Sequence, residues 1–455
     1  MEHTPPPLAD LVAHPATERL LIRFSSEGVM QGFRDILREL QRAVMQGHVV
    51  DPAAFEADSI VARLESRLAA SDDAWLERVV NATGTMLHRG LGQALLPSPA
   101  TDAIVRAASQ PVTLEYDLSQ GTPGRREQTI EHLLMDLTGA EGAAVVNNAA
   151  SALLLSLRAL ASAKDVLISH QDLSTLSESL DVQEILATSG ARLRAVGTTS
   201  SVSPADYETA ITDATALVLR VHTTPVDDTK STLMDLVAIG RRRGVPVLEF
   251  LVNGALLDLS RYGLPKEPVV EERISLGADL VIFSGEAVVG GPEAGLVVGS
   301  ARCAGAIAKH GLHRMLQCDK LTIAALEATL RLYRESACIA QDIPTLRAWT
   351  RPLHEIEDTA SRVLPALVSA LGPGFQVSVQ DERSRMTDDE RSSTIPTKVI
   401  VVEHDYLGGY RIAGRFRQTR PPIVGRVEDD RFILDARAIF DPLDMVPNWT
   451  DELDG

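Results

Sequence analysis

Short runs of apolar residues alternate with helical patterns through the middle of the chain. The runs lie at 142–146, 165–169, 192–196, 216–221, 245–250, 279–283 and 295–298. Continuous apolar runs of this length are typical of strands that are buried on both faces of a mostly parallel sheet. Helical patterns near 149–162, 174–188, 204–213 and 231–243 predict the crossover connections. The pattern therefore predicts a large, doubly wound α/β domain.

The two ends of the chain have different patterns. The first 80 residues are helical, with helices predicted at 32–46 and 52–70, the second favoured by Pro52 at its first position. After 335, a helix near 355–371 and strand-like runs at 375–379, 399–402 and 432–434 predict an α+β unit. The charged segment 381–394 is expected to be a mobile loop, because it has few apolar residues. We predict domains at 1–80, 81–335 and 336–455.

Charge argues against some classes of partner. The chain has 44 basic and 62 acidic residues, a net charge of −18, which disfavours broad affinity for nucleic acid or anionic lipid. Residues 1–80 contain 8 Arg, no Lys and 13 acidic residues. Arg34, Arg38 and Arg42 share one helix face there, either as a solvated face or as an anion-binding stripe.

Cysteine content and hydropathy indicate the compartment. Cys303, Cys318 and Cys338 are far apart and form no C-x-x-C motif, so we predict unpaired thiols and no metal site. No apolar run approaches the roughly 20 residues that span a bilayer, and the N-terminus lacks the apolar region of a signal peptide. A soluble cytoplasmic protein is expected.

Short motifs along the chain resemble one family. They are N-A-T-G-T at 81–85, H-R-G-L-G at 88–92, N-N-A-A-S-A at 147–152, G-L-P-K-E-P at 263–268, S-G-E-A-V-V-G-G-P-E-A-G at 284–295 and A-L-E-A-T-L-R-L-Y at 325–333. In this order they resemble the bacterial selenocysteine synthase (L-seryl-tRNA(Sec) selenium transferase) family, over nearly the whole chain. The resemblance implies the aspartate aminotransferase-like fold of type I pyridoxal-phosphate (PLP) enzymes.

The resemblance also implies where a phosphorylated cofactor would bind. The turn at Asn148, Ala149 and Ala150 opens a helix, and free N–H groups at a helix N-terminus favour a phosphate. Ser284 resembles the phosphate-side serine of the family. By the same resemblance, His170 and His222 are expected beside the cofactor.

Three arginines are candidate anion ligands. Arg125 and Arg126 follow Gly124 and are suited to binding an anion, which a neighbouring subunit could supply. Arg426 is placed in the same group by the resemblance.

Two positions depart from the family in the residues that carry its chemistry. Ala287 occupies the position of the lysine that forms the Schiff base with the cofactor, and Phe250 that of the aspartate that keeps the pyridine nitrogen protonated. Asp181 also replaces an expected arginine. Loss of both the lysine amine and the ring-nitrogen carboxylate indicates a native loss of function. Lys230 is the one lysine that could conceivably form the Schiff base in place of the missing one.

Three functional hypotheses remain open. The first is a non-catalytic structural or regulatory subunit, in a homo-oligomeric dimer or ring or paired with an active paralogue, because segments 87–96 and 112–118 resemble inter-subunit segments of the family. The second is a transferase or lyase that uses non-covalently bound PLP or another phosphorylated ligand. The third is a tRNA-binding module, which the acidic N-terminal region disfavours.

Overall fold

The computed structural model describes residues 6–45, 52–72, 76–176, 182–199, 201–222, 232–388 and 392–449. Its helices are α1 (Leu8–Val12), α2 (Pro15–Arg23), α3 (Ser26–Met45), α4 (Ala57–Asp72), α5 (Ser98–Ser109), α6 (Gln128–Thr138), α7 (Ala149–Ala161), α8 (His170–Leu176), α9 (Val182–Ser189), α10 (Pro204–Ala210), α11 (Leu233–Arg243), α12 (Val270–Ser275), α13 (Ala301–Ala308), α14 (Lys320–Glu335), α15 (Ile339–Asp342), α16 (Pro344–Thr350), α17 (Leu353–Leu371) and α18 (Gly409–Phe416). Its strands are β1 (Val80–Asn81), β2 (Thr85–Leu87), β3 (Tyr116–Asp117), β4 (Thr122–Pro123), β5 (Gly142–Val146), β6 (Asp165–Ser169), β7 (Arg192–Val196), β8 (Thr215–His222), β9 (Val247–Leu251), β10 (Leu280–Ser284), β11 (Gly295–Gly299), β12 (Phe375–Thr387), β13 (Thr394–His404), β14 (Ile423–Val424), β15 (Arg426–Glu428) and β16 (Arg431–Asp435).

The chain divides into two units, Met1–Arg78 and Val79–Gly455. In the first unit, α3 buries Phe33, Ile36 and Leu40 in a cluster that also includes residues of α4. Helix α3 begins six residues before the predicted start, because Ser25 Oγ accepts a hydrogen bond from the N–H of Gly28 and caps the first turn. The arginines at 34, 38 and 42 are exposed on α3.

The helix predicted from 52 begins differently in the structure. Pro52–Phe55 forms a 3₁₀ turn, and the α-helix starts only at Ala57. The turn buries Phe55 in the core of the first unit, so packing decides the local geometry at this point.

The second unit is built on a sheet of strand order β5-β11-β10-β9-β8-β6-β7. Strand β11 is antiparallel to both of its neighbours, and the remaining pairs are parallel. Each predicted apolar run forms one of these strands, with bounds that differ by at most two residues. Helices α7 and α13 pack on one face of the sheet and α6, α11 and α14 on the other. The predicted α/β class is confirmed.

A second sheet, of strand order β15-β16-β13-β12-β2, packs against α17 and α18 through a separate apolar cluster. Strand β2 pairs in parallel with β12, and β1 pairs with β14. Residues 81–87, which the sequence suggested as the start of the α/β domain, therefore join strands of the C-terminal region.

The loop predicted at 381–394 is wrong for most of its length. Strand β12 continues to Thr387 and pairs with β13 from Phe375 to Arg385. Ser384 and Met386 are buried whereas Arg383 and Arg385 are exposed, so the segment has the period of two that a strand requires. Charged residues on the exposed face had hidden this alternation in the composition.

Among the described residues, no helix combines the length and apolar character that crossing a bilayer requires.

Candidate functional site

A cavity of about 280 Å³ lies where β9 and β10 end and where β5 leads into α7. The carboxyl ends of strands are the usual ligand-binding edge of an open α/β sheet. Its lining residues are Leu87, Arg89, Gln93, Asn148, Ala149, Ala150, Phe250, Leu251, Val252, Asn253, Ser284, Glu286, Ala287, Glu293, Thr387 and Asp388. The cavity therefore brings together six residues that the sequence singled out, at 148, 149, 150, 250, 284 and 287.

One wall of the cavity is the turn from β5 into α7. Asn148 caps α7, because its Oδ1 accepts a hydrogen bond from Ser151 N at 2.8 Å. Ala149 and Ala150, in the first turn of α7, line the cavity. A Cβ atom at Gly295 would lie 2.1 Å from the carbonyl oxygen of Asn148, so only glycine permits this close approach of strand and turn.

The opposite wall is the loop from β10 to β11. Gly285 N donates to Ala294 O at 2.9 Å, and Gly290 N donates to Ala287 O at 3.1 Å. Gly290 has φ of +69°, a left-handed conformation that closes this turn. The loop thereby holds the small side chain of Ala287 at the cavity, where the buried ring of Phe250 also lies.

The charges at the cavity are unbalanced. Arg89 is the one basic side chain among the described lining residues, and its Nε lies 3.4 Å from Asp388 Oδ1. The backbone N–H of Arg89 also donates to Asp388 Oδ2 at 3.1 Å. Glu286 and Glu293 are the other two charged side chains that line the cavity. Burial is the larger cause that raises the pKa of Glu286, and the neighbouring Glu293 carboxylate raises it further.

His222 lies at the end of β8 but points away from the cavity. Its Nδ1 is 3.7 Å from Glu249 Oε1, and the Nε atoms of Arg220 and Arg273 lie 3.5 and 3.9 Å from the same carboxylate. All four side chains are buried. Burial alone would raise the pKa of Glu249, but His222, Arg220 and Arg273 hold it below its usual value. Adjacent residues of a strand face opposite sides, so Glu249 and Phe250 lie on opposite faces of β9.

His170 begins α8 directly after β6 and is half-buried. Neither His170 nor His222 is among the described residues that line the cavity. Lys230 and Asp181 lie outside the described residues.

Arg125 and Arg126 line a different cavity, of about 420 Å³, formed mainly by α5, α6 and α14. Arg106, Lys320 and Arg331 line it as well, so five basic side chains face one carboxylate, Glu327. Arg125 contacts Glu131, and Arg126 lies 2.7 Å from Glu115 Oε1. Arg126 also donates to the carbonyl oxygen of Cys318 at 2.9 Å.

Arg426 belongs to neither cavity. Its Nε lies 2.9 Å from Glu428 Oε1, its Nη1 3.7 Å from Asp435 Oδ2, and its Nη1 donates to Thr83 O at 3.2 Å. These contacts join β15 and β16 to the segment between β1 and β2. Within the described residues, Arg426 lies among the ion pairs of the C-terminal sheet, away from both cavities.

Four charged lining residues were missed as site residues. Glu286 and Glu293 stand inside the S-G-E-A-V-V-G-G-P-E-A-G motif, so their charge was readable there. Arg89 lies in the H-R-G-L-G motif, but its pairing with Asp388 joins positions 299 residues apart. No local pattern marked Asp388.

Comparisons with known proteins agree with this architecture. The family model described as L-seryl-tRNA selenium transferase matches residues 79–440. An L-seryl-tRNA(Sec) selenium transferase from Haemophilus influenzae is 34% identical over 454 residues, 98% of each chain. One from Klebsiella pneumoniae is 38% identical over 449 residues, 96% of this chain and 95% of the relative. The solved structure of D-glucosaminate-6-phosphate ammonia-lyase is similar in fold, with a TM-score of 0.55 at 18% identity, covering 82% of this chain and 93% of its own.

Proposed function

Because this chain belongs to the L-seryl-tRNA selenium transferase family and has the fold of type I PLP enzymes, we propose that it is a selenocysteine synthase-like subunit without cofactor chemistry of its own. Its role is structural or regulatory, in a homo-oligomer or in an assembly with an active paralogue. The cytoplasm is its proposed compartment.

The observation that carries this proposal is the pair Ala287 and Phe250, which line the same cavity as Asn148 and Ser284. PLP, when bound, supplies an electron sink that depends on an amine for covalent attachment and on a carboxylate near the ring nitrogen. The methyl group of Ala287 cannot form a Schiff base, and the phenyl ring of Phe250 cannot hold a proton on that nitrogen. The cavity thus lies at the expected place, but apolar residues stand at both positions where the family's chemistry needs a reactive group.

Exposed apolar side chains support an oligomer. Leu95, Val112, Tyr116 and Leu118 are exposed, and they lie in or next to the segments that resemble inter-subunit contacts. Large exposed apolar side chains within such segments favour a protein interface.

The basic cavity supports pairing with a paralogue. Arg125 is exposed, and it lines this cavity together with Arg126 and Lys320. A guanidinium at the edge of a subunit is suited to an anion held by a neighbouring chain. In the proposed assembly, this chain contributes those arginines to the site of an active paralogue.

The first test is the colour and reactivity of the purified full-length protein. As purified, without added PLP, the protein should show no absorbance of a Schiff base, and borohydride should fix no pyridoxyl group to any peptide. A family member that has the lysine serves as the positive control. A yellow protein whose adduct maps to Lys230, or to any other lysine, would show that the proposal is wrong.

A further inference from the structure

The charged groups of the cavity fall into two pairs. Arg89 and Asp388 form an ion pair on one side of the cavity, and the Arg89 guanidinium also acts on Glu286, whose pKa it lowers. Glu286 and Glu293 form the second pair, and neither has an ion-pair partner within the described part of the chain. Three carboxylates therefore share the cavity with Arg89, the one basic side chain among the described lining residues.

The remaining polar groups do not offset these carboxylates. The N-terminus of α7 contributes about half a positive elementary charge, which is less than either carboxylate. Burial and the Glu293 carboxylate raise the pKa of Glu286, and they outweigh the Ser284 and Gln93 hydrogen bonds and the Arg89 charge, which lower it. A phosphate dianion at this turn would add negative charge beside Glu286. The residues present therefore do not fit PLP or another phosphorylated ligand.

The apolar part of the lining indicates what else the ligand requires. Phe250, Leu87 and Val252 contribute apolar surface, and the small side chain of Ala287 leaves room beside the acidic pair. A cation is attracted by an aromatic face as well as by carboxylates. The volume of about 280 Å³ suits a ligand of a few to about ten non-hydrogen atoms.

We infer that this cavity binds a small organic cation, a primary ammonium carried on an apolar body, with the ammonium between Glu286 and Glu293 and the apolar body against Phe250. The ammonium of the ligand replaces the charge that a lysine at position 287 would supply. This inference rests on the proposed function, since it requires a site that holds no Schiff base.

Proton linkage supplies a further signature. An alkylammonium stays protonated at neutral pH and favours the ionised form of Glu286. Affinity should therefore rise with pH through the raised pKa of Glu286 and then level off. The other titratable groups lining the cavity are Glu293, Arg89 and Asp388.

The experiment is calorimetric titration of the full-length protein with benzylammonium, benzyl alcohol, inorganic phosphate and PLP. Benzylammonium should bind saturably, and benzyl alcohol, which has the same apolar body without the charge, at least about fivefold more weakly. Glu293→Gln should weaken benzylammonium binding by about fivefold. The double variant Glu286→Gln/Glu293→Gln should weaken it by on the order of 20-fold. Ala287→Lys should abolish it, because the new ammonium takes the same place.

Glu327→Gln, in the basic cavity, is the matched control and should bind benzylammonium like the wild type. Equal binding of benzylammonium and benzyl alcohol would overturn the inference without requiring any variant to fold. Tighter binding of phosphate or PLP than of benzylammonium would overturn it too, as would absence of benzylammonium binding. A pyridoxyl group fixed by borohydride in the protein as purified, before PLP is added, contradicts the proposed function instead, so the two failures are distinguishable.

Discussion

The proposed function depends on two side chains, at 287 and 250, which stand where the family resemblance implies reactive groups. Both line the cavity at the carboxyl ends of β9 and β10, where their effect on a ligand is direct. A methyl group and a phenyl ring offer neither a nucleophile nor a proton acceptor. The consequences of replacing them can therefore be derived one residue at a time.

Ala287→Lys should restore covalent binding of PLP but little turnover. The new amine can form a Schiff base, and its charge offsets Glu286 and Glu293, whereas Phe250 still leaves the ring a poor electron sink. Absorbance and borohydride mapping to position 287 measure attachment. Ala287→Met, of similar length but without an amine, should stay colourless.

Adding Phe250→Asp to Ala287→Lys should strengthen PLP binding by placing a carboxylate near the ring nitrogen. The same change removes a buried phenyl ring, which costs on the order of 3–5 kcal/mol of unfolding free energy. Titration with PLP, together with a denaturant unfolding curve, separates the two effects. If the double variant folds and binds PLP no better than Ala287→Lys alone, Phe250 does not occupy the predicted position beside the ring.

Glu249→Gln should destabilise the protein by about 3–5 kcal/mol, because it leaves Arg220 and Arg273 buried without a counter-charge. Urea denaturation measures this loss. Glu208→Gln is the matched control: Glu208 pairs with Arg242 at the surface, where such a pair contributes at most about 1 kcal/mol. Similar losses in both variants would contradict the buried-cluster interpretation.

The same cluster predicts a pH dependence. The folded-state pKa of Glu249 is held below its unfolded value, so its contribution to stability is fully present above the unfolded pKa of about 4.5. It is lost as the pH falls through the lower, folded-state pKa. The free energy of unfolding should be measured between about pH 3 and pH 7, which covers the unfolded-state pKa of Glu249. As the pH falls, it should decrease less steeply in Glu249→Gln than in the wild type.

Among the secondary-structure elements, β12 shows why composition misleads. Its outer half carries Asp381, Glu382, Arg383 and Arg385, and this charge density is typical of a loop. Ser384 Oγ nevertheless donates to Asp435 Oδ2 at 2.6 Å, and Met386 is buried. One face of the strand is solvated while the other is part of the C-terminal sheet.

Amide hydrogen exchange should distinguish the strand from the predicted loop. The ladder-bonded amides of residues 381–387 should exchange slowly, because β12 lies between β13 and β2. Residues 399–402 of the buried strand β13 provide the protected reference within the same sample. Exchange of 381–387 at the rate of an unstructured peptide would favour the loop after all.

For the whole molecule, the proposed subunit contacts predict a mass larger than that of one chain. Light scattering at micromolar concentration should give a dimer or a larger ring. Leu118→Glu should shift the mass toward the monomer, because it places a charge on an apolar side chain that is 76% exposed in the single chain. Leu443→Glu, at a residue that is 69% exposed elsewhere, should leave the mass unchanged. A monomeric wild type would contradict the oligomer proposal.

The seven strands of the central sheet were readable from the chain because burial on both faces leaves an unbroken apolar run, a signal contained within five or six neighbouring residues. The replacements at 287 and 250 were readable too, since each falls inside a short motif. His222 was expected beside a cofactor but faces Glu249 on the other side of the sheet. Whether a side chain at the end of β8 faces the cavity depends on strand twist and on its neighbours in β9 and α12.

The charge of the cavity is the property that the fold alone assembles. Arg89 meets Asp388 across 299 positions, and Arg125 and Arg126 join Lys320 in a separate cavity. The electrostatic energy of two charges depends on their distance in space. Their separation along the chain says almost nothing about that distance. The motifs therefore identified the walls of the site, whereas its ligand preference arises from which distant charges the tertiary structure brings together.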